Sequence, residues 1–221
     1  MTRKVFWFEP YRTELETRVR DVNGDNITLE ETIFYALSGG QESDHGTIGG
    51  HPVREARKSG LDILYTLEAG HGLKPGDPVA IRIDWERRYR LMRLHFAAEL
   101  VLELVYQKLG SVNKIGAHIA QDKARIDFEY ERNITSLLPE LTSQVQEIVS
   151  SDRPIISAFS DEAAGRRYWE IEGFSRVPCG GTHLKKTGEV GAVELKRKNL
   201  GKSKERIEIH LKHDPTHHQP S

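Results

Sequence analysis

One short segment constrains the fold of this chain more than any other: Cys179-Gly180-Gly181-Thr182-His183, which carries the only cysteine among 221 residues. A thiol and an imidazole four positions apart are both good zinc ligands, and the intervening glycines let the backbone wrap closely around a small ion. A lone cysteine has no disulfide partner within the chain, so a metal is its leading use. Two ligands do not hold a catalytic zinc, and a third must come from elsewhere. The best source is the run Arg87–Val105, where Leu91, Leu94, Ala98, Val101, Leu102 and Val105 recur at helical spacing and mark one buried face. Asp84 is placed to cap this helix and Glu86 to sit in its first turn. His95 and Glu99 are one turn apart. At 100° per residue they lie about 70–110° from the centre of the buried face, where a cleft wall would be. If His95 shares an ion with Cys179 and His183, the helix must pack against a loop more than eighty residues downstream. Glu99 is then a fourth ligand or an adjacent base. The plainer alternative is a packing histidine, a solvated glutamate and a buried thiol with no common purpose.

The rest of the chain supplies the frame. Short β-like runs at Val5–Phe8, Leu15–Val22, Ile27–Leu29, Thr32–Ala36, Val53–Arg57, Leu61–Leu67 and Val79–Ile83 precede the helix, with turn signals at Asn23-Gly24 and Pro75-Gly76-Asp77. They predict a small β-barrel over residues 1–83. Beyond it, Arg125–Tyr130, Tyr168–Phe174 and Arg206–Leu211 read as strands. Leu138–Val149 reads as a second helix, capped by Thr135 or Ser136. Helices on an antiparallel sheet make residues 84–213 an α+β domain, so the class expected for the whole is α+β. Residues 214–221, with His217 and His218, read as a disordered tail. His45, His51 and His118 are further ligands by type, but none has a partner at ligand spacing.

Charge is balanced at a net of −1, so its distribution matters more than its sum. Arg82, Arg87, Arg88, Arg90 and Arg93 crowd the helix start. Lys185, Lys186, Lys196, Arg197, Lys198, Lys202, Lys204 and Arg206 follow the Cys-His segment. Basic residues beside a metal motif suit an RNA phosphate backbone, although such runs are equally often solvated faces. There is no membrane-length apolar run and no leader pattern. A single thiolate ligand fits a reducing compartment, so a cytoplasmic location is expected. No phosphate-binding loop is present, and no ATP requirement is expected.

Taken together, these residues resemble a known family. His95 with Cys179-x-x-x-His183 is similar to the zinc motif pair of alanyl-tRNA editing proteins, free-standing relatives of the editing domain of alanyl-tRNA synthetase. The same pair occurs in the editing domain of threonyl-tRNA synthetase. The segment Gly39-Gly40-Gln41-Glu42-Ser43-Asp44-His45-Gly46 resembles the glycine-rich signature of the alanyl branch. Arg125-Ile126-Asp127-Phe128, Thr187-Gly188-Glu189-Val190-Gly191 and Arg206-Ile207-Glu208 follow the same pattern, so the likeness runs from about Thr32 to Leu211. It implies a Zn2+ cofactor held by His95, Cys179 and His183. It also implies a Gln41 that helps hold the aminoacyl end, and a hydrolase that cleaves serine, and glycine as a second choice, from mischarged tRNA(Ala) at its acceptor end. The chain departs from the family at Glu99, where a second helix histidine is usual. A carboxylate in place of an imidazole lowers the net charge of the zinc site from about +1 to about zero and weakens it as a Lewis acid. The alternative reading is a tRNA-binding module whose metal site has degenerated.

Overall fold

The structure is a computed structural model that describes residues 1–110 and 112–212; the tail expected at 214–221 lies outside the described residues. The chain forms two compact units, one of residues 1–90 and one from Leu91 onward, so the division falls inside the long helix.

In the first unit a seven-stranded antiparallel sheet curls into a half-barrel. Its order is His51–Pro52, Gly46–Ile48, Pro78–Ile83, Glu14–Asn23, Asn26–Leu29, Asp62–Thr66, Glu55–Ser59. Alternation along Asp62–Thr66 and Pro78–Ile83 sends Ile63, Tyr65, Val79 and Ile81 inward to one core with Leu15, Val19, Ile27 and Leu29. Asn23 and Asn26 pair across the expected hairpin, with Gly24 at φ 60°. Two expected strands are absent or shortened. Val5–Trp7 is a 3-10 turn. Val5 and Phe6 are both buried, and a strand would send neighbours to opposite faces. Of the run expected at Thr32–Ala36 only Thr32 is extended, in the short strand Glu31–Thr32. Ile33 to Ala36 are all buried and take their backbone partners elsewhere: the Phe34 N–H donates to Thr32 Oγ1 at 3.0 Å and the Tyr35 N–H to Asp44 Oδ2 at 2.6 Å.

Helix α1 spans Trp85–Leu109 and helix α2 spans Leu138–Ser150. Asp84 caps α1 as expected, accepting from the Arg87 N–H at 3.0 Å. α1 is more deeply enclosed than a one-faced pattern implies. Met92, Phe96, Ala97, Leu100 and Leu104 are buried along with the predicted stripe. α2 begins after a 3-10 turn, Ile134–Leu137, whose cap is Asn133, with neither Thr135 nor Ser136 in that role.

The second unit has two antiparallel sheets. One has the order Asn113–Ile119, Ala124–Glu129, Lys204–Leu211, Val193–Gly201, and α2 packs against its last strand. The other has the order Ile156–Asp161, Arg166–Ile171, Ser175–Pro178. In that sheet Arg167, Trp169 and Ile171 share a buried face. The indole of Trp169 meets Phe96 of α1 edge-on, with ring centroids 5.2 Å apart. This contact turns the middle of α1 toward the end of the third strand, where Cys179 begins the glycine-rich turn. The architecture is α+β, as expected.

Candidate metal and active site

His95, from the third turn of α1, meets Cys179 and His183 from the turn that follows Ser175–Pro178. One ligand atom from each lies within 4.8 Å of the others, the one such group among the described residues. Backbone pairing explains the convergence. The Cys179 N–H donates to the Arg167 carbonyl at 2.9 Å, which carries the strand ladder one residue past Pro178 and fixes where the turn begins. Gly181 then passes flat against the His95 ring: a Cβ there would stand 2.1 Å from an imidazole carbon. Gly181 is therefore required by close approach, while a Cβ on Gly180 would meet nothing within 4 Å.

The donor set suits a zinc-like ion. Cys179 Sγ is 3.3 Å from His95 Nε2, close to the roughly 3.5 Å edge of a tetrahedron with ordinary Zn–S and Zn–N bonds. His183 is 4% exposed, and its Nε2 is buried without a hydrogen-bond partner. A buried nitrogen with no partner is costly unless something else fills the role. Its Nδ1 lies 2.9 Å from Ser157 Oγ, the outer hydrogen bond that fixes tautomer and ring angle in metal-ligating histidines.

Glu99 stands at the edge of this group. Its Oε1 is 3.4 Å from His95 Nε2 and 3.8 Å from Cys179 Sγ, and its Oε2 accepts from the Trp169 indole at 3.0 Å. One oxygen faces the cluster and the other is tied back. His95 is only 5% exposed, deeper than a cleft wall. Burial opposes charge on His95, but the Cys179 sulfur and the Glu99 carboxylate outweigh it and raise its pKa to about 10. Burial likewise opposes charge on Glu99. His95 and the Trp169 donor prevail and lower it to about 2. Burial, reinforced by the charge on His95, lowers His183 to about 3. Without metal His95 is thus an imidazolium beside the Glu99 carboxylate and the Cys179 sulfur, with His183 a neutral imidazole, and an ion must displace the His95 proton.

The other sequence candidates have other surroundings. Gln41 is fully buried in the first unit, closing a turn in which its backbone and that of Ser38 exchange hydrogen bonds at 3.0 and 3.2 Å. Gly39 and Gly40, at φ 60° and 86°, supply that turn. His45 is exposed, His51 lies 3.4 Å from Glu68, and His118 sits opposite Arg125 in a sheet. The basic clusters are largely spent on internal contacts. Arg87 binds Glu42, Arg88 binds Asp44, Arg93 donates to the Val190 carbonyl, Arg197 binds Glu205 and Arg206 binds Asp127. Lys202 and Lys204, with Arg132 and a Lys108 that is paired with Glu140, line an open groove of about 840 Å³ that also carries Glu129 and Glu131 beside Tyr130.

Sequence reading did not find Ser157, Arg167 or Trp169. Each acts through a partner distant in sequence, and only the alternation Arg167/Trp169/Ile171 hinted at an inward face.

Two comparisons bear on this cluster. The family described as the threonyl and alanyl tRNA synthetase second additional domain matches residues 167–208, which include Arg167, Trp169, Cys179 and His183. The alanyl-tRNA editing protein AlaX-M of Pyrococcus horikoshii is 33% identical over 215 residues, covering 96% of this chain and 98% of that protein. The chain belongs to the alanyl-tRNA editing protein family. AlaX-M of Saccharolobus solfataricus is also 33% identical, over 94% of this chain and 98% of its own length. The alanine–tRNA ligase of Ignicoccus hospitalis is 34% identical over 88% of this chain, which spans 24% of that ligase. An editing protein of this family thus corresponds in length to the free-standing relatives and to about a quarter of the ligase. Among the described residues no helix is long and apolar enough to cross a membrane.

Proposed function

We infer that this chain is a trans-editing hydrolase in the cytoplasm. It cleaves the ester between a wrong amino acid and the terminal ribose of tRNA(Ala), without ATP. Serine is the first candidate for the amino acid removed and glycine the second. The observation that carries this reading is the convergence of His95, Cys179 and His183 on one point in a family whose relatives are named for editing alanyl-tRNA. The unit responsible is the region expected at 84–213.

His95, Cys179 and His183 would hold Zn2+, and the orphaned His183 Nε2 and the tight N–S spacing fit that ion. Bound zinc would supply Lewis acidity for the attacking water or a grip on the substrate's amino or hydroxyl group. The chain's own residues do the positioning. Ser157 sets the His183 ring, Gly181 lets the turn close on His95, and Trp169 aims Glu99. An aminoacyl ester is already reactive, so orientation supplies much of the rate. Glu99 serves as fourth ligand or as general base, and its free oxygen edge is compatible with both. Gln41 holds the aminoacyl end. Lys202 and Lys204, exposed at the rim of the groove beside Tyr130, are the members of the downstream cluster best placed to meet phosphate.

The test is deacylation of seryl-tRNA(Ala) with and without a chelator, metal being quantified on the same sample. Hydrolysis that stops on chelation and returns with zinc supports the reading. Binding without hydrolysis under all conditions points instead to a tRNA-binding module with a degenerate metal site. Changing Glu99→His separates its two roles: tighter metal with retained hydrolysis marks a ligand, and collapsed hydrolysis with intact metal marks a base.

A further inference from the structure

The strand Arg166–Ile171 contacts both halves of the cluster from one face. Trp169 reaches the helix half by donating to Glu99. Two residues earlier, Arg167 reaches the loop half twice. Its carbonyl accepts from the Cys179 N–H, and its guanidinium Nη1 donates to the Gly181 carbonyl at 3.2 Å. The guanidinium carbon lies 5.3 Å from the centre of the Phe159 ring, on the neighbouring strand and in register with Arg167. Arg167 is 5% exposed.

Placing a permanent cation in the interior is expensive unless electron-rich groups receive it, and here the Gly181 carbonyl accepts from it and the Phe159 ring lies under it. Fork geometry suits a carbonyl and a ring face together, which an ammonium does not reproduce. Gly180 and Gly181 leave the turn with little side-chain packing of its own, so its shape must be imposed from outside. The bonds at Cys179 N–H and Gly181 C=O bracket the turn on either side of Gly180.

We propose that Arg167 is a positioning residue for the metal site: it pins the turn at Gly181 so that the Cys179 sulfur and the His183 imidazole face His95 together. This rests on the zinc reading given above. It makes the guanidinium a determinant of metal retention.

The experiment compares wild type, Arg167→Met and Arg167→Lys as full chains, stripped of metal and reloaded with zinc against a competing chelator. Cobalt loading then reads the thiolate-to-metal absorption band. Expected are zinc binding at least tenfold weaker in Arg167→Met, partial recovery in Arg167→Lys, and a weakened cobalt band in Arg167→Met at saturating metal. The melting temperature of the metal-free protein should be nearly unchanged. A folded Arg167→Met that holds zinc within twofold of wild type with the same cobalt band overturns the proposal. A wild type that binds no metal defeats the zinc reading and the proposal with it, and that arm is read separately. Should Arg167→Met not fold, Phe159→Leu removes the ring under the guanidinium at a half-buried position. It is expected to weaken zinc severalfold, and unchanged affinity there counts against the proposal.

Discussion

Two buried charged clusters, one in each unit, look alike in composition and differ in completeness. In the first unit Arg88 and Asp44 are both fully buried and form a two-pronged pair. Arg88 also donates to the carbonyls of Pro10 and Ile33, and Asp44 also accepts from the Tyr35 N–H. These contacts are all internal and together fasten the start of α1 to the half-barrel core. In the second unit, His95, Glu99, Cys179 and His183 are as densely charged, yet His183 Nε2 is left with no partner. A closed network specifies structure, whereas an open one reserves coordination for something that arrives later. Burial and charge therefore do not by themselves mark function, nor does an unfilled atom alone, since Gln144 Oε1 and His210 Nε2 are also buried without a partner; His183 Nε2 stands out because it faces two other ligand side chains.

Breaking the closed network should give the largest effect on folding. Asp44→Ala strands a buried guanidinium and is expected to cost about 3–5 kcal/mol, read by urea unfolding. A loss below about 1 kcal/mol would mean the pair is not the anchor described. The open network should respond in the opposite sense. Cys179→Ala is expected to abolish metal binding and lower deacylation at least about a hundredfold, while costing the metal-free protein less stability than Asp44→Ala does. A drop in stability matching that of Asp44→Ala would erase the contrast.

Only part of this contrast was legible in the sequence. Cys179-x-x-x-His183 was legible as a candidate pair because its spacing is local, whereas His95 joined it only through the helical pattern and the family resemblance, and the structure brings the three together. The fold class and most of the half-barrel were visible through alternation and turn residues. What stayed hidden depends on long-range partners. Val193–Gly201 read as a charge run, but it is an edge strand, where lysines are well suited to blunt unwanted pairing. Asn113–Ile119 and Ile156–Asp161 have a single buried residue between them, Ile119, and lack an apolar stripe. Arg87, Arg88 and Arg93 looked like a cationic surface until Glu42, Asp44 and the Val190 carbonyl, each more than forty residues away in sequence, were found to bind them.

Smaller changes sharpen the open cluster. Trp169→Phe keeps the ring and removes the donor to Glu99, and zinc affinity should fall about tenfold. Ser157→Ala frees the His183 ring at a solvent-exposed position and should cost less, a few-fold in affinity by the same measurement. If Ser157→Ala proves the costlier, the tautomer of His183 matters more than the aim of Glu99.

The metal-free protein should also show a pH signature. His95, raised from 6.5 to about 10, contributes stability that is complete below 6.5 and lost as pH rises toward 10. His183, lowered from 6.5 to about 3, costs stability as pH falls from 6.5 toward 3, because the unfolded chain binds that proton first. Glu99, lowered from 4.5 to about 2, adds a further loss as pH falls from 4.5 toward 2. The melting temperature of the stripped protein should therefore peak near pH 6.5 and decline on both sides. Metal loading should strengthen as pH rises, since the ion competes with the His95 proton. A flat melting profile would mean the histidines are not coupled as described.

The most direct measurement is the metal content of protein purified without added zinc, taken in parallel on wild type and Cys179→Ala. Close to one zinc per chain is expected in the wild type and almost none in the variant. Equal metal in both, or no metal in a folded wild type, would contradict it.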